Sequence, residues 1–241
     1  MIKNKMHVFL KKQSFSPNWL GIFVNPFYFA RRGLAGAIRD YSKYLNGKLL
    51  DVGCGTKPYK SLFSVDEYVG LDIDSENSRK RGIADELYDG EWFPFAHQEF
   101  DAILCNQVLE HVFNPDQFLG EINRVMKPSA KMVLTVPFVW NEHEQPYDYA
   151  RYSSFGLKAL LEKNGFRVLK HEKLGDDVST LFQLTNAYLY KISERWNKYI
   201  RLAFTFSVMG LVNLLGLIVR FILPKTPDLF LDHVVLVEKK I

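Results

Sequence analysis

The 241-residue sequence predicts an α/β fold built on a mainly parallel, doubly wound sheet. Short apolar strands alternate with amphipathic helical patterns through the middle of the chain, as βαβ units require. The strongest local signal is residues 49–56, where an apolar strand ends at Asp51 and breaks into a turn with Gly53 and Gly55. A second apolar strand ends at Asp72. A glycine turn followed by an acidic strand end is typical of nucleotide or nucleoside sites in such sheets.

Alternating hydrophobic runs and turn residues predict the strands. They are residues 48–52, 68–71, 83–88, 100–105, 131–136, 166–173 and 231–238. The fifth is continuous and β-branched, which is typical of parallel strands buried on both faces. The last one alternates, with Val234, Leu236 and Glu238 on one side.

Capping residues and glycine or proline stops predict the helices. The first runs from Asn25-Pro26 to about residue 45 and ends at Asn46-Gly47. Others begin at Pro115 and after Ser153, and residues 177–223 are helical in pattern. This order predicts a single domain with four parts. They are an arm and helix (1–46), a cofactor-binding core (47–173), a helical insertion (177–223) and a terminal strand (229–240).

Composition narrows the class of protein. An apolar fraction of 47% supports a large core, and a net charge of +4 is too small to indicate nucleic acid binding. Cys54 and Cys105 are expected to be reduced and buried. The six histidines show no ligand spacing along the chain, so no metal site is predicted. The first residues lack the features of a secretory signal, and a cytoplasmic location is expected.

The glycine turn discriminates between cofactors. A nicotinamide dehydrogenase needs G-x-G-x-x-G, but here Gly53-Cys54-Gly55 is followed by Thr56, Lys57 and Pro58. Pro58 also lacks an amide that a diphosphate would need. A cofactor without a diphosphate fits better, and S-adenosylmethionine is the candidate.

Four segments carry a family resemblance. They are residues 49–56 (LLDVGCGT), 68–74 (YVGLDID), 89–112 and 121–137. Together they resemble the class I S-adenosylmethionine-dependent methyltransferases in the family's order. The resemblance implies seven strands, the last inserted antiparallel.

The resemblance also implies the cofactor contacts. The methionine and ribose would be lined by Asp51, Gly53, Cys54 and Gly55, and the methionine would also be approached by Asn106 and Gln107. Asp72 would bind the ribose hydroxyls. Ile73 would lie against adenine, and the adenine amino group would be met by Asp89 and Gly90. Asp85 is the alternative to Asp89 if the third strand ends earlier.

The acceptor is predicted to present an oxygen. The fourth strand is not followed by the Asp/Asn-Pro-Pro-Tyr/Phe signature, which by resemblance argues against amino-group methylation of adenine or glutamine. The loop 140–152 is the candidate acceptor site, since it follows the carboxyl end of the fifth strand, where ligands collect in open sheets. His143, between Glu142 and Glu144, is the candidate general base, and His111 is the second candidate.

An uncharged apolar segment, residues 202–219, lies between Arg201 and Arg220. A helix that is apolar all round must be buried in something. The segment is expected to form a lid, a homodimer interface or a peripheral membrane contact. An apolar segment beside a polar, aromatic acceptor loop suggests a small-molecule or lipid-linked acceptor. A nicotinamide-dependent oxidoreductase and a non-catalytic cofactor-binding module remain the alternative functions.

Overall fold

The computed structural model describes residues 2–241, with side chains described from residue 9 onward. A seven-stranded sheet has the order β3-β2-β1-β4-β5-β7-β6. Its strands are β1 (Lys48–Val52), β2 (Glu67–Ile73), β3 (Glu86–Tyr88), β4 (Phe100–Asn106), β5 (Met126–Pro137), β6 (Phe166–Leu174) and β7 (Asp232–Lys239). The predicted fold class is confirmed: the sheet is mostly parallel, and an antiparallel strand is inserted near its end.

The strand order reverses beside β1, which positions the site. β1 pairs in parallel with β2 on one side and with β4 on the other. Chain connections therefore leave the carboxyl ends of β1 and β4 in different directions. Ligands of open α/β sheets bind in the crevice that this reversal creates.

Nine α-helices lie within the described residues. They are α1 (Ile2–Phe15), α2 (Gly21–Val24), α3 (Tyr28–Ser42), α4 (Glu76–Arg81), α5 (Pro115–Val125), α6 (Ser154–Lys163), α7 (Ser179–Ser193), α8 (Lys198–Phe204) and α9 (Gly210–Val219). A π-helical stretch, Thr205–Met209, joins α8 to α9. The side chains of Asn114 and Ser153 cap α5 and α6 as the sequence predicts.

Several predicted boundaries differ from the structure. The third strand begins at Glu86; Asp85 before it binds the Gly70 carbonyl through its backbone amide, and its carboxylate accepts from Lys57 and from the Gly70 amide. β5 begins at Met126, since its first residues pair with the start of β4. β7 is buried on both faces from Asp232 to Val237, so its apolar alternation does not mark one solvent-facing side. α1, α2 and α4 were not predicted.

The chain groups into two compact units. The sheet unit comprises residues 37–138, 142–172 and 233–241, and the helical unit comprises residues 2–36, 139–141 and 173–232. A core of fully buried side chains, including Leu50, Ile103, Leu119 and Val235, fills the sheet unit. The division of one domain into four parts stays a prediction.

Buried amide side chains organise the helical unit. Gln183 accepts hydrogen bonds from the Phe29 and Ala30 amides, at 3.0 and 3.2 Å, and donates to the Pro26 carbonyl. The first amides of a helix have no partner inside the helix, so Gln183 supplies that partner for α3. Its side chain is fully buried.

Replacing Gln183 with methionine, which has a similar volume, should destabilise the helical unit. Two buried backbone amides would lose their acceptor, at a cost of about 2 kcal/mol. Urea unfolding, followed by tryptophan fluorescence, measures the change. Thr185→Ala, at an exposed position on the same helix, is the control. Equal unfolding midpoints for the two variants would contradict the capping role.

Candidate cofactor and acceptor site

The turn after β1 is tied to β2 by its own backbone. The Gly53 and Cys54 amides both donate to the Leu71 carbonyl, at 2.9 and 3.0 Å. Gly53 has φ +69°, and a Cβ there would lie 2.4 Å from Val108. Gly55 has φ +51°, and a Cβ there would meet nothing within 4 Å. The turn therefore packs tightly against the protein at Gly53 and leaves open space at Gly55.

Asp51 is a buried carboxyl at the end of β1. The Tyr68 hydroxyl donates to its Oδ2 at 2.6 Å. Burial raises the pKa of Asp51 to about 7, although Tyr68 and Lys57 each act to lower it. Burial also raises the pKa of the neighbouring Cys54 thiol to about 12. Both cysteines are free and buried, as predicted.

Asp72 is a second buried acidic residue, one position before the end of β2. Its Oδ1 accepts from the Ile73 amide, and its Oδ2 accepts from Arg81 Nη2 at 2.9 Å. Ile73 is 48% exposed, so it presents a flat apolar surface beside a carboxylate. Arg81 was not predicted as a site residue, because its helix, α4, has no apolar periodicity that would indicate a helix there.

Asp89, not Asp85, stands at the carboxyl end of β3. Asp85 precedes the strand and binds Lys57 Nζ at 2.5 Å. The Lys57 side chain crosses over Gly70, where a Cβ would lie 2.2 Å from Lys57 Cε. Asp89 accepts from the Glu91 and Trp92 amides, and these backbone bonds lower its pKa.

Gly90 and neighbouring residues line a cavity of about 310 Å³ next to this turn. Gly90 has φ +96°, and a Cβ there would lie 3.7 Å from Ile73. Glu91 follows Gly90 in the lining, and Phe113, Asn114, Gln117 and Phe118 line the cavity from another segment of the chain. The cavity combines an aromatic ring with amide groups, which suits a heterocyclic base.

Asn106 and Gln107 are held by one residue of β5. The Thr135 hydroxyl donates to Asn106 Oδ1 at 2.8 Å, and the Gln107 amide donates to the Thr135 carbonyl at 3.0 Å. Thr135 is fully buried. Only the register of β4 against β5, which places Asn106 beside Thr135, brings these residues together.

Two histidines that are distant in sequence meet above β4. The ring centroids of His111 and His143 are 4.7 Å apart. Their Nε2 atoms lie 3.7 and 3.9 Å from Oε1 of the fully buried Glu110. These three side chains are close enough to hold a metal ion. Sequence spacing could not reveal the group, because the loop after β5 delivers His143.

The partners of the two imidazoles define their basic nitrogens. His111 Nδ1 lies 2.8 Å from the Tyr147 carbonyl, which can only accept, so Nδ1 carries the hydrogen. His143 Nδ1 lies 3.1 Å from Asp148 Oδ2. In neutral rings with a hydrogen on Nδ1, the basic nitrogen is Nε2, which faces Glu110 in both cases.

Asp148 is the centre of the loop. Burial opposes its ionisation, but Arg151 and the His143 amide outweigh burial and lower its pKa to about 2. Arg151 binds it through two nitrogens, at 2.6 and 2.7 Å. Arg151 is therefore committed to the loop, while Tyr147 and Tyr149 are exposed.

The fold and these residues define a class I methyltransferase domain with its ligand edge at β1, β2 and β4. Residues 27–171 match the family described as methyltransferase domain, and the chain belongs to that family. The cofactor of this family is S-adenosylmethionine. The open space at Gly55, the carboxyl of Asp72 and the exposed face of Ile73 fit its ribose and adenine. The match favours this class over a nicotinamide oxidoreductase.

Known proteins resemble parts of the chain. An uncharacterized protein of Methanocaldococcus jannaschii is 36% identical over an alignment of 138 residues that covers 52% of this chain and 66% of that protein. The ubiquinone/menaquinone biosynthesis C-methyltransferase of Ralstonia pickettii is 31% identical over an alignment of 103 residues that covers 41% of this chain and 42% of that enzyme. The chain thus spans two-thirds or less of the length of these relatives.

A solved structure supports the fold. The S-adenosylmethionine-dependent methyltransferase of Archaeoglobus fulgidus superposes with a TM-score of 0.56 at 20% identity. The superposition covers 92% of this chain and all of that one. At this identity the likeness concerns the architecture alone.

Asp51 should make stability depend on pH. Its folded pKa of about 7 lies above the ordinary carboxyl value of 3.8, so its protonation stabilises the fold, and this contribution is complete below about pH 4. That contribution is lost as the pH rises through 7, at about 1.4 kcal/mol per unit. Asp51→Asn cannot ionise, so its stability relative to wild type should increase from pH 4 to pH 8 in urea unfolding.

Asp116→Asn is the matched control, because Lys163 lowers the pKa of the exposed Asp116. The Asp116 carboxylate is ionised in both the folded and unfolded states well above pH 4, so the stability of that variant relative to wild type should stay constant from about pH 5 to pH 8. A constant difference between Asp51→Asn and wild type across this range would refute the buried-carboxyl assignment.

Proposed function

We propose that the chain transfers the methyl group of S-adenosylmethionine to a hydroxyl oxygen of a small or lipid-linked acceptor. The observation that carries the proposal is the pairing of His143 with Asp148 beside His111 and Glu110, in a loop that follows β5. When bound, the cofactor supplies a methyl group already activated on a sulfonium. What an oxygen acceptor still needs is alignment and removal of its proton.

The cofactor half of the proposal assigns each strand end a task. Asp72 binds the ribose hydroxyls, with Arg81 holding its carboxylate in place. Gly53, Cys54 and Gly55 border the ribose and methionine, and Ile73 covers one adenine face. Asp89 and Gly90 meet the adenine amino group through the turn that follows β3. Asn106 and Gln107, oriented by Thr135, approach the methionine.

Asp51 has an electrostatic role in this arrangement. Its buried carboxyl favours the neutral form, and a nearby cation reverses that preference. The ammonium and sulfonium of the cofactor are such cations. Binding of the cofactor therefore stabilises the ionised form of Asp51, which lies at the end of the strand that opens the glycine turn.

His143 is assigned the proton of the acceptor hydroxyl. Asp148 holds Nδ1 and stabilises the imidazolium that forms when Nε2 takes the proton. This is the arrangement by which carboxylates orient histidine bases. His111 is held beside His143, because its Nδ1 donates to the Tyr147 carbonyl in the same loop.

A carbon acceptor is the second candidate, because the Ralstonia relative is named a C-methyltransferase. The histidine base serves either reaction, since both require a proton to leave the acceptor. The analysis of a methylated product by mass spectrometry and NMR distinguishes an O-methyl from a C-methyl group.

Asp72→Ala should weaken binding of S-adenosylhomocysteine, the demethylated product, by at least tenfold. Two charge-assisted hydrogen bonds to the ribose would be lost, each worth about 1.5–3 kcal/mol. Isothermal titration calorimetry measures the affinity. Asp74→Ala is the matched control, because Asp74 is two residues away and pairs with Arg79. Equal affinities for the two variants would remove Asp72 from the site.

His143→Ala should lower turnover by about a hundredfold while the affinity for the cofactor stays unchanged, as expected for loss of a general base. Transfer of a labelled methyl group to an acceptor found by screening membrane and cytosolic extracts measures turnover. The exposed His97→Ala is the control. Turnover of His143→Ala within threefold of wild type would end its candidacy.

A further inference from the structure

Helix α9 buries small and polar residues and exposes aliphatic ones. Its buried positions are glycines and an amide: Gly210, Asn213 and Gly216. Its exposed positions are aliphatic, with 38–54% of each side chain accessible: Leu211, Leu214, Leu215 and Ile218. A surface helix in water shows the opposite distribution, with apolar residues facing the core.

Helix α7 repeats this inversion. Polar or small residues face inward: Ser179, Thr180, Gln183, Asn186, Ala187 and Ser193. Leu181, Tyr188 and Ile192 are exposed on the outside. Two neighbouring helices of one unit therefore share the same reversed pattern.

The interior that results is a network of amides. Asn186 Nδ2 donates to Asn213 Oδ1 at 2.9 Å and to the Met209 carbonyl. Asn213 in turn donates to the carbonyls of Ile22 and Asn25. At Gly216, a Cβ would lie 2.7 Å from the Phe29 ring, so the helix approaches closely. Small residues at contacts and amide hydrogen bonds between helices are the packing mode of helices in lipid.

Chain topology limits how this unit can meet a bilayer. One helix of 22 residues, Lys198–Val219, is long and apolar enough to cross a membrane, and 28% of its apolar window is buried. α7 has 15 residues, about 22 Å, which is too short for a hydrocarbon core of about 30 Å. Because the preceding β6 and the following β7 are neighbours in one sheet, the segment must return to the side from which it left.

The helical unit also contains a cationic cavity of about 420 Å³. Arg31, Lys198 and Arg201 line it, and no acidic side chain is among the described residues of its lining. Arg31 lies over the Phe15 ring at 5.3 Å, and Arg201 lies over the Tyr190 ring at 5.8 Å. Three cations beside aromatic walls suit a phosphate carried on an apolar tail.

We propose that the helical unit docks on an anionic phospholipid surface. The apolar face of α7 and α9 lies in the membrane interface, and a phosphate headgroup occupies the cavity of Arg31, Lys198 and Arg201. Charge complementarity selects this occupant, since the cations at the start of the Lys198–Val219 helix lie where an interfacial helix meets headgroups. The inference depends on the helical unit and is independent of the proposed reaction.

Flotation of the full-length protein with vesicles tests both parts. Phosphatidylcholine vesicles with phosphatidylglycerol should bind at least tenfold more protein than pure phosphatidylcholine vesicles. The triple variant Arg31→Gln, Lys198→Gln, Arg201→Gln should lose this preference. Substituting serine for Leu211, Leu214 and Leu215, which are exposed, should abolish flotation with both vesicle types.

Two control proteins match these variants in the sheet unit. Lys43→Gln, Lys80→Gln and Lys158→Gln together remove the same charge from exposed positions, and Phe155→Ser removes an exposed ring. Both should float as wild type does. Calorimetry with S-adenosylhomocysteine checks that every variant keeps its cofactor affinity, so loss of docking is separable from loss of the methyltransferase site.

Two outcomes would overturn the proposal. One is that the protein floats equally well with the two vesicle types and that the triple variant floats as wild type does. The other is absence of flotation with the anionic vesicles. If analytical ultracentrifugation then shows a dimer that the serine variant dissociates, the apolar face belongs to a second copy of the chain.

Discussion

The two hydrogen bonds from the Gly53 and Cys54 amides to the Leu71 carbonyl are the constraint on which the sheet unit's site depends. They bend the chain sharply at the end of β1 and join the turn to β2. Because the turn is fixed there, Asp51 stays buried behind it and Asp72 lies at the adjacent strand end. The parallel register of β1 with β2 places Asp51 opposite Gly70, which has no side chain to fill the intervening space. Lys57 uses that space to reach Asp85.

The two units obey opposite rules of burial. In the sheet unit, the interior is aliphatic and aromatic, and the buried carboxyls of Asp51 and Asp72 stand at or near strand ends. In the helical unit, α7 and α9 turn amides and small side chains inward and leucines outward. Buried amides stabilise a structure through their hydrogen bonds. The side-chain Nδ2 groups of Asn186 and Asn213 both have acceptors and Asn213 Oδ1 has a donor, while Asn186 Oδ1 is left without a donor among the described residues. The contrast has a physical explanation if the two units face different solvents.

The sequence predicted the features that depend on neighbouring residues. β1 has the predicted bounds, and α5 and α6 are within a residue or two, because apolar runs and capping residues mark them locally. The residues that orient the site were missed, since their roles arise only from tertiary contacts. Thr135 reaches Asn106 across the β4–β5 register, and Asp148 reaches His143 across a loop. α4, which carries Arg81, is too short and polar to show a helical period.

The role of the apolar segment, residues 202–219, could not be predicted from its sequence either. Its composition indicated burial but left a lid, a dimer and a membrane contact open. The side that α9 turns toward the protein argues against a lid, because a lid would bury its leucines against the fold, whereas here the glycines and Asn213 are buried. A dimer and a membrane contact both leave the leucines facing outward. If the unit docks on lipid, an acceptor confined to the same surface meets the enzyme at a raised effective concentration.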